Sequence, residues 1–459
     1  MSSTSRQLFG TDGIRGVAGA FPLSQESVFT IGRALGRDLK KADPRPRVMI
    51  GQDTRESSRW IADRLALGMV CEGAEVHSAG VLTTPGVAYL ARQGGYSAGV
   101  VISASHNPWT DNGIKVFAGT GYKFPDAREL EVEKTIFALL EQSEPEPKPT
   151  SIPAPSLPGE EPLRQAYISW LAKSVALDLG RLKVLVDCAN GAAAAEAPQL
   201  FNRLGVQAEF MHAAPDGKNI NEQCGALHPE MLGRAMAARG GEKFDLGITF
   251  DGDADRALFC DASGRIINGD GVLLLTARDM QTRGKLAAST VVATTMSNMG
   301  LEVAFQRSGI RMLRANVGDK YVLEEMQQSG ATLGGEQSGH VIFRDGDATT
   351  GDGLLTALRV MEVLVRSGRP VTELVADLKV FPQTIQNVRV REKIPFAKIP
   401  AVERAIKDAE GSLDGNGRVV VRYSGTEALA RVMVEAEDET KMRLLADAIS
   451  GAIRTSIGV

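Results

Sequence analysis

The chain has 459 residues, 43% of them hydrophobic and 24% charged, with a formal net charge of −4. That balance describes an ordinary soluble globular protein, and the length calls for ~3–4 domains rather than one core. It excludes a basic footprint for nucleic acid, and no apolar run approaches membrane-spanning length. Cys71, Cys188, Cys224 and Cys260 lie far apart with no C-x-x-C pair. This argues against a disulfide framework or a zinc site and fits a reducing compartment. Residues 1–7 lack the apolar core of a signal peptide, so the expected location is the cytoplasm.

In chain order, the first β-rich run is 47–52, Arg-Val-Met-Ile-Gly-Gln. A second run at 98–102, Ala-Gly-Val-Val-Ile, feeds Ser-Ala-Ser-His-Asn-Pro at 103–108. Pro108 blocks a helix from continuing, and Asp111, Asn112 and Gly113 make a second tight turn. Ser105 is therefore a hydroxyl on a sharp loop beside His106, with Lys115 shortly downstream. Such a serine can accept a phosphoryl group, with Lys115 or His106 handling protons and charge. The plainer reading is a turn serine capping its own backbone. No G-x-S-x-G surrounds it, which argues against an esterase elbow. Prolines 145, 147, 149, 153, 155 and 158 then make 141–161 an extended connection. A helical stretch at 163–177 leads into a second unit.

The second unit opens with Lys-Val-Leu-Val-Asp-Cys at 183–188. Its apolar run 246–250 ends in Asp-Gly-Asp-Ala-Asp-Arg at 251–256. A strand ending there aims Asp251, Asp253 and Asp255 at nearly one point. Each pair repels by roughly 4 kcal/mol at ~4 Å in a protein-like dielectric. A hard divalent cation removes that cost, and all-oxygen ligands suit Mg²⁺. An EF-hand wants Gly at position six and Glu at position twelve, where this chain has Arg256 and Ala262. A haloacid-dehalogenase pattern, with Asp251 itself as nucleophile, wants Thr or Val where Asp255 stands. A solvated acidic turn is the plainer alternative.

A third unit begins at 290–295, Thr-Val-Val-Ala-Thr-Thr, and carries Gly-Gly-Glu-Gln-Ser-Gly-His at 334–340. The glycines permit a backbone close to a ligand, and Glu336, Ser338 and His340 offer groups suited to sugar hydroxyls; a plain glycine-rich turn competes with this reading. Apolar strands alternating with helical stretches predict mixed or parallel sheets in three similar units whose loops converge. The last ~80 residues predict a small α+β domain. It has strands at 384–391 and 417–422, a helix at 401–410, and a tail stripe of Leu445, Ile449, Ala452 and Ile453. After the 417–422 strand, Arg422, Ser424, Gly425 and Thr426, with Arg431 nearby, make a phosphate cradle; Ser424 or Thr426 could instead cap the next segment. Two phosphate-handling sites imply moving a phosphate between two positions of one molecule, since a hydrolase has no need of the second.

In these four motifs, in their order and along essentially its whole length, the chain resembles the α-D-phosphohexomutases. The resemblance implies an α/β protein, with three similar mixed-sheet α/β domains plus a smaller C-terminal α+β domain around a central cleft. The expected spans are 1–155 (catalytic phosphoserine), 156–257 (metal-binding), 258–371 (sugar-binding) and 372–459 (phosphate-binding). It implies a phosphoryl group on Ser105, and Mg²⁺ on Asp251, Asp253, Asp255 and the Ser105 phosphate. It gives Glu336 and Ser338 to sugar hydroxyls, and Arg422, Ser424, Gly425, Thr426 and Arg431 to the non-reacting phosphate. Lys115, His106, Arg15 and Arg256 would support proton transfer and charge.

Within that family the chain most resembles the bacterial glucosamine-phosphate subgroup, in residues 9–16, 102–108, 111–115 and 317–321 and in Gln337. That implies interconversion of glucosamine 6-phosphate and 1-phosphate through a 1,6-bisphosphate, which can also act as activator, for cell-wall amino-sugar supply. The alternatives are a phosphoglucomutase/phosphomannomutase of the same fold, an aspartyl-phosphate phosphatase using Asp251, and a non-catalytic sugar-phosphate sensor. The implied partner is a phosphorylated hexosamine, without nucleic acid or membrane, on a monomer or homodimer. Tyr423 and Ala428 stand where the family usually has prolines, which predicts a less rigid phosphate loop. Trp109 stands where Tyr is common.

Overall fold

A computed structural model describes residues 7–10, 12–141, 160–240, 243–424 and 428–459. Most of the proline-rich connection, together with Gly425 and Thr426, lies outside the described residues. The chain forms two compact units, one of residues 1–296 and 313–375, the other of 297–312 and 376–459. No helix among the described residues is long and apolar enough to cross a membrane.

The first unit holds three sheets. Strands β1 (Phe9–Gly10), β2 (Gly13–Val17), β3 (Arg47–Gln52), β4 (Glu75–Val81), β5 (Ala98–Ile102) and β6 (Asp111–Ala118) lie in the order β1-β2-β6-β5-β3-β4. Every residue of β5 is buried, as its unbroken apolar sequence requires of a central strand covered on both faces. Strands β7 (Lys183–Asp187), β8 (Gln207–Met211), β9 (Leu246–Phe250), β10 (Ala257–Cys260) and β11 (Ile266–Ile267) take the order β11-β10-β9-β7-β8. Strands β12 (Thr290–Thr294), β13 (Arg311–Ala315), β14 (Leu333–Gly335) and β15 (Val341–Phe343) take the order β13-β12-β14-β15.

One pattern recurs in β4-β3-β5-β6, β8-β7-β9-β10 and β13-β12-β14-β15. In each, the second strand named pairs parallel with the third, and the third pairs antiparallel with the fourth. The three β-rich runs read from sequence at 47, 183 and 290 are the second strand of each set. The second sheet does not stop at 257, because β10 and β11 extend it by antiparallel pairing to Ile267.

The second unit is a three-stranded antiparallel sheet of β16 (Gln383–Arg389), β17 (Gly417–Tyr423) and β18 (Leu429–Ala436), ordered β16-β18-β17. Helices Pro400–Leu413 and Glu439–Ile457 pack on it through Val402, Ala409, Ile449 and Ile453. Leu445 and Ala452 of the predicted tail stripe are partly buried against the same core. Helix Met299–Arg307 lies in this compact unit. Asn298 caps the helix and exchanges hydrogen bonds with the Phe381 backbone, and Met299 N donates to Glu435 at 3.0 Å.

Helix Ala193–Arg203 buries Glu196 completely, and neither carboxylate oxygen has a hydrogen-bond partner among the described residues. Burial pushes this carboxyl up to about 8, against the lowering effect of Arg164, whose Nε lies 3.7 Å away. The folded chain then holds a proton that the unfolded chain releases near pH ~4.3, so stability falls as pH rises to about 8 and levels off above. The share of Glu196 is on the order of 5 kcal/mol. Glu196→Gln should unfold with wild type at pH 5 and at clearly higher temperature at pH 9. Equal midpoints at pH 9 would contradict this.

Candidate active site

The three chemical loops occupy one topological position. Residues 103–110 join β5 to β6, 251–256 join β9 to β10, and 336–340 join β14 to β15. Each is the turn between the parallel core of its sheet and the antiparallel strand beside it. The loops are tied together by backbone hydrogen bonds. Ala257 N donates to Gly339 O at 3.1 Å, and Gly269 N donates to Gln337 O at 3.0 Å. A Cβ on Gly252 would come within 2.5 Å of Ser105 O, so only glycine lets the acidic loop approach the serine turn this closely.

Ser105 is 1% exposed and sits in the left-handed region at φ 53°, a conformation that costs of order 1–3 kcal/mol for a non-glycine residue. Its surroundings hold it there. Ser105 N donates to Ser103 Oγ at 2.9 Å, and Ser103 Oγ donates to Asp53 at 2.6 Å. Arg55 pairs with Asp53 and donates to the carbonyls of Ser105 at 3.3 Å and Asn107 at 2.5 Å. Asn221 donates to Ser105 O at 2.9 Å. The sequence reading missed Asp53, Arg55 and Asn221. The Asp-Thr-Arg segment just after β3 was its only visible trace.

Ser105 Oγ donates to Asp251 Oδ2 at 2.6 Å, and His106 Nδ1 lies 3.4 Å from the same hydroxyl. Burial, then the charges of Arg256 and Arg15, lower the His106 imidazole, favouring the neutral ring near pH 7. Asp251, Asp253 and Asp255 are buried, and one oxygen of each lies within 4.8 Å of the others. Burial, then the charges of Asp255 and Asp253, push Asp251 well above the usual carboxylate range. Asp255 goes the other way. Burial opposes its ionisation, but Lys115, then His340 and Arg256, hold it well below that range.

Lys115, 1% exposed, pairs with Asp253 at 2.8 Å, Asp12 at 2.9 Å and Asp255 at 3.8 Å. Burial alone would lower its ammonium; Asp12, then Asp253 and Asp255, hold it above the ordinary lysine value. Asp12, which sits in the 9–16 stretch, also pairs with Arg15 and with Lys123, and Arg15 reaches Asn107 Oδ1 at 3.3 Å. Thr84 Oγ1 donates to Asp253 at 2.5 Å. Arg256 N donates to Asp251 Oδ1 at 3.1 Å. Asp253 Oδ1 and Asp255 Oδ1 are buried without a hydrogen-bond partner among the described residues. Two orphaned carboxylate oxygens beside a third acid are a donor set that fits a hard divalent cation.

In the 336–340 loop, Glu336 Oε1 accepts from Gly318 N at 2.9 Å, and Ser338 lies beside its other oxygen. Gln337 Nε2 donates to Asp270 at 3.2 Å. His340 departs from the expectation that it reads sugar hydroxyls. It is buried, with Nε2 accepting from Gly351 N at 3.1 Å and Nδ1 3.7 Å from Asp255, so it backs the acidic cluster.

In the second unit, Arg422 and Arg431 lie directly opposite each other on β17 and β18. Like charges so placed repel unless an anion joins them. Ser424 is buried, with its carbonyl bound by Lys393 at 2.7 Å. Tyr423 stacks on Phe396 and donates to Ile394 O at 2.5 Å, so the residue standing where a proline was expected is anchored.

Four family profiles match in order. Phosphoglucomutase/phosphomannomutase alpha/beta/alpha domain I covers residues 6–143, domain II 165–264, domain III 268–381, and the C-terminal domain 386–452. The chain belongs to the phosphohexomutase family. As a phosphohexomutase it is an isomerase, built of three α/β domains and a smaller C-terminal one. Among this phosphohexomutase's relatives, a phosphoglucosamine mutase of Koribacter versatilis is 61% identical over 460 residues, spanning 100% of this chain and 99% of that one. Another, of Solibacter usitatus, is 50% identical over 454 residues, spanning 99% and 100%. A solved phosphoglucomutase/phosphomannomutase family protein of Burkholderia thailandensis shares the fold, with TM-score 0.78 and 24% identity over 98% of this chain and 99% of that one.

Proposed function

We propose that this phosphohexomutase interconverts glucosamine 6-phosphate and glucosamine 1-phosphate, with Ser105 carrying the phosphoryl group. The observation that carries the reading is a buried serine hydroxyl on Asp251, inside a three-aspartate cluster closed by Lys115. Phospho-Ser105 gives its phosphoryl group to the free hydroxyl of the sugar phosphate, forming a 1,6-bisphosphate. The bisphosphate turns, and its other phosphoryl group returns to Ser105. A bisphosphate that escapes can re-enter as activator.

Asp251, Asp253, Asp255 and the Ser105 phosphate are the groups to hold Mg²⁺, which when bound supplies charge neutralisation for the transferring group. Neutral His106, 3.4 Å from the Ser105 hydroxyl, takes and returns the proton, and Arg15 and Arg256 balance the phosphate charge. Lys115 pairs with Asp253 and holds Asp255 ionised. Glu336 and Ser338 bind sugar hydroxyls in both orientations, while Arg422, Ser424, Gly425, Thr426 and Arg431 grip the phosphate that is not transferred.

The two phosphoglucosamine mutase relatives support an amino sugar, and Gln337 beside Asp270 offers a polar contact for its ammonium. The 6-phosphates of glucosamine, glucose and mannose, compared on verified phospho-enzyme with Mg²⁺, test the assignment. The highest kcat/KM should fall to glucosamine 6-phosphate, and Gln337→Met should move the ratio toward glucose or mannose. A wild-type preference for either of those would instead establish a phosphoglucomutase/phosphomannomutase, and an unmoved ratio would remove Gln337 from specificity.

A further inference from the structure

The second repeat holds another cluster of metal-ligating side chains, away from the three aspartates. Asp187 ends β7, His212 follows β8, and Cys224 lies in the loop before β9. One ligand atom of each lies within 4.8 Å of the other two. His212 Nδ1 and Asp187 Oδ1 are 3.0 Å apart, close to the ~3.3 Å between two ligands of a tetrahedral ion with bonds near 2.0–2.1 Å. Asp187 and Cys224 are fully buried, while the His212 side chain is 32% exposed, which leaves an open side for entry and a fourth ligand.

The carboxylate is already aimed. Asp187 Oδ1 accepts from Ala189 N at 2.9 Å and Oδ2 from Gly225 N at 3.0 Å, the outer hydrogen bonding that metal ligands characteristically have. The backbone around the cluster is held against its own preference. Ala189, Asn190, His212, Asn221 and Gln223 account for five of the ten non-glycine residues with positive φ among the described residues. Gly225 at φ 77° is packed so that a Cβ would meet Ala189 Cβ at 2.7 Å. Strain of this kind persists where surrounding structure over-determines it, and it concentrates at ligand sites.

We propose that Asp187, His212 and Cys224 form a second cation site, taking a borderline-soft divalent ion of the Zn²⁺ type. A thiolate, an imidazole and a carboxylate with one open position suit Zn²⁺ or Co²⁺ and disfavour Mg²⁺, which asks for six oxygens. The thiol proton passes to solvent as the ion enters. The ion would also pin the loop that carries Asn221, whose amide supports Ser105 O, so the site braces the catalytic turn from behind.

Titration of the full chain with Co²⁺ tests this, with Mg²⁺ in excess to occupy the aspartate cluster. The expected result is a thiolate-to-cobalt charge-transfer band that saturates at one equivalent and disappears in Cys224→Ser. His212→Asn, in a conformation asparagine tolerates, should keep the band and weaken binding about 10-fold or more. It keeps the test open should the buried Cys224→Ser fail to fold. Zn²⁺ should raise the unfolding temperature of wild type and do so less in either variant. Absence of the band at saturating Co²⁺, or a band that survives Cys224→Ser and is lost with the exposed Cys71, would overturn the proposal.

Discussion

Ser105→Ala should lose turnover by about 10⁴-fold or more, the scale on which removal of a nucleophile acts. Sugar-phosphate binding should change little, because Ser105 is 1% exposed and its contacts run to Asp251 and His106. The turn should survive as well, since it is held by the backbone atoms of Ser105 rather than its hydroxyl. Intact mass should show an added phosphate on wild type incubated with a sugar 1,6-bisphosphate and none on the variant. The linkage should be acid-stable. A hydroxylamine-labile phosphate retained in Ser105→Ala would move the nucleophile to Asp251 and reopen the phosphatase reading.

Arg55→Met should be the most damaging change among the residues that support the Ser105 turn. Its guanidinium is completely buried and joins Asp53 to the carbonyls of Ser105 and Asn107. Removing one partner of a buried pair strands the other charge, at a cost of roughly 3–5 kcal/mol. Among the described residues, the Asp53 carboxylate would keep Ser58, Ser103 and the residue-55 backbone N–H as donors. Below the lowered unfolding temperature, kcat should fall about 10²-fold with KM nearly unchanged, because a shift of ~1 Å at the reacting hydroxyl costs that much. Asp53→Asn combined with Arg55→Met should recover stability but not kcat. Full activity in folded Arg55→Met would show that the Ser105 turn holds its shape alone.

The chemical loops were legible because each contains its own signal. Asp251, Asp253 and Asp255 repel unless something joins them, and Ser105 precedes a proline-ended turn. The repeat was visible as three β-rich runs, and sheet topology places one of the three motifs at the same turn of each repeat. The supports were not legible. Asp53, Arg55 and Asn221 act on Ser105 across 50 residues or more of sequence, through hydrogen bonds that only tertiary packing creates. His340 misled for the opposite reason, since its loop pointed to sugar reading while packing against Asp255 and Gly351 turned the ring inward. Cysteine spacing does not reveal groups whose members are far apart in sequence. Asp187, His212 and Cys224 meet only where β7, β8 and the loop before β9 end together. The attachment of the 297–312 segment was not legible either, because it rests on Asn298 with Phe381 and Met299 with Glu435, 83 and 136 positions apart.

Transfer from Ser105 itself is the most direct test of the central claim. Enzyme loaded with a labelled phosphoryl group on Ser105 would be mixed with unlabelled glucosamine 6-phosphate, in Mg²⁺, for a single turnover. The label should leave the serine and appear in sugar bisphosphate and sugar monophosphate, while the protein remains phosphorylated with unlabelled phosphate. Label released as inorganic phosphate, or retained on Ser105 while product forms, would contradict it.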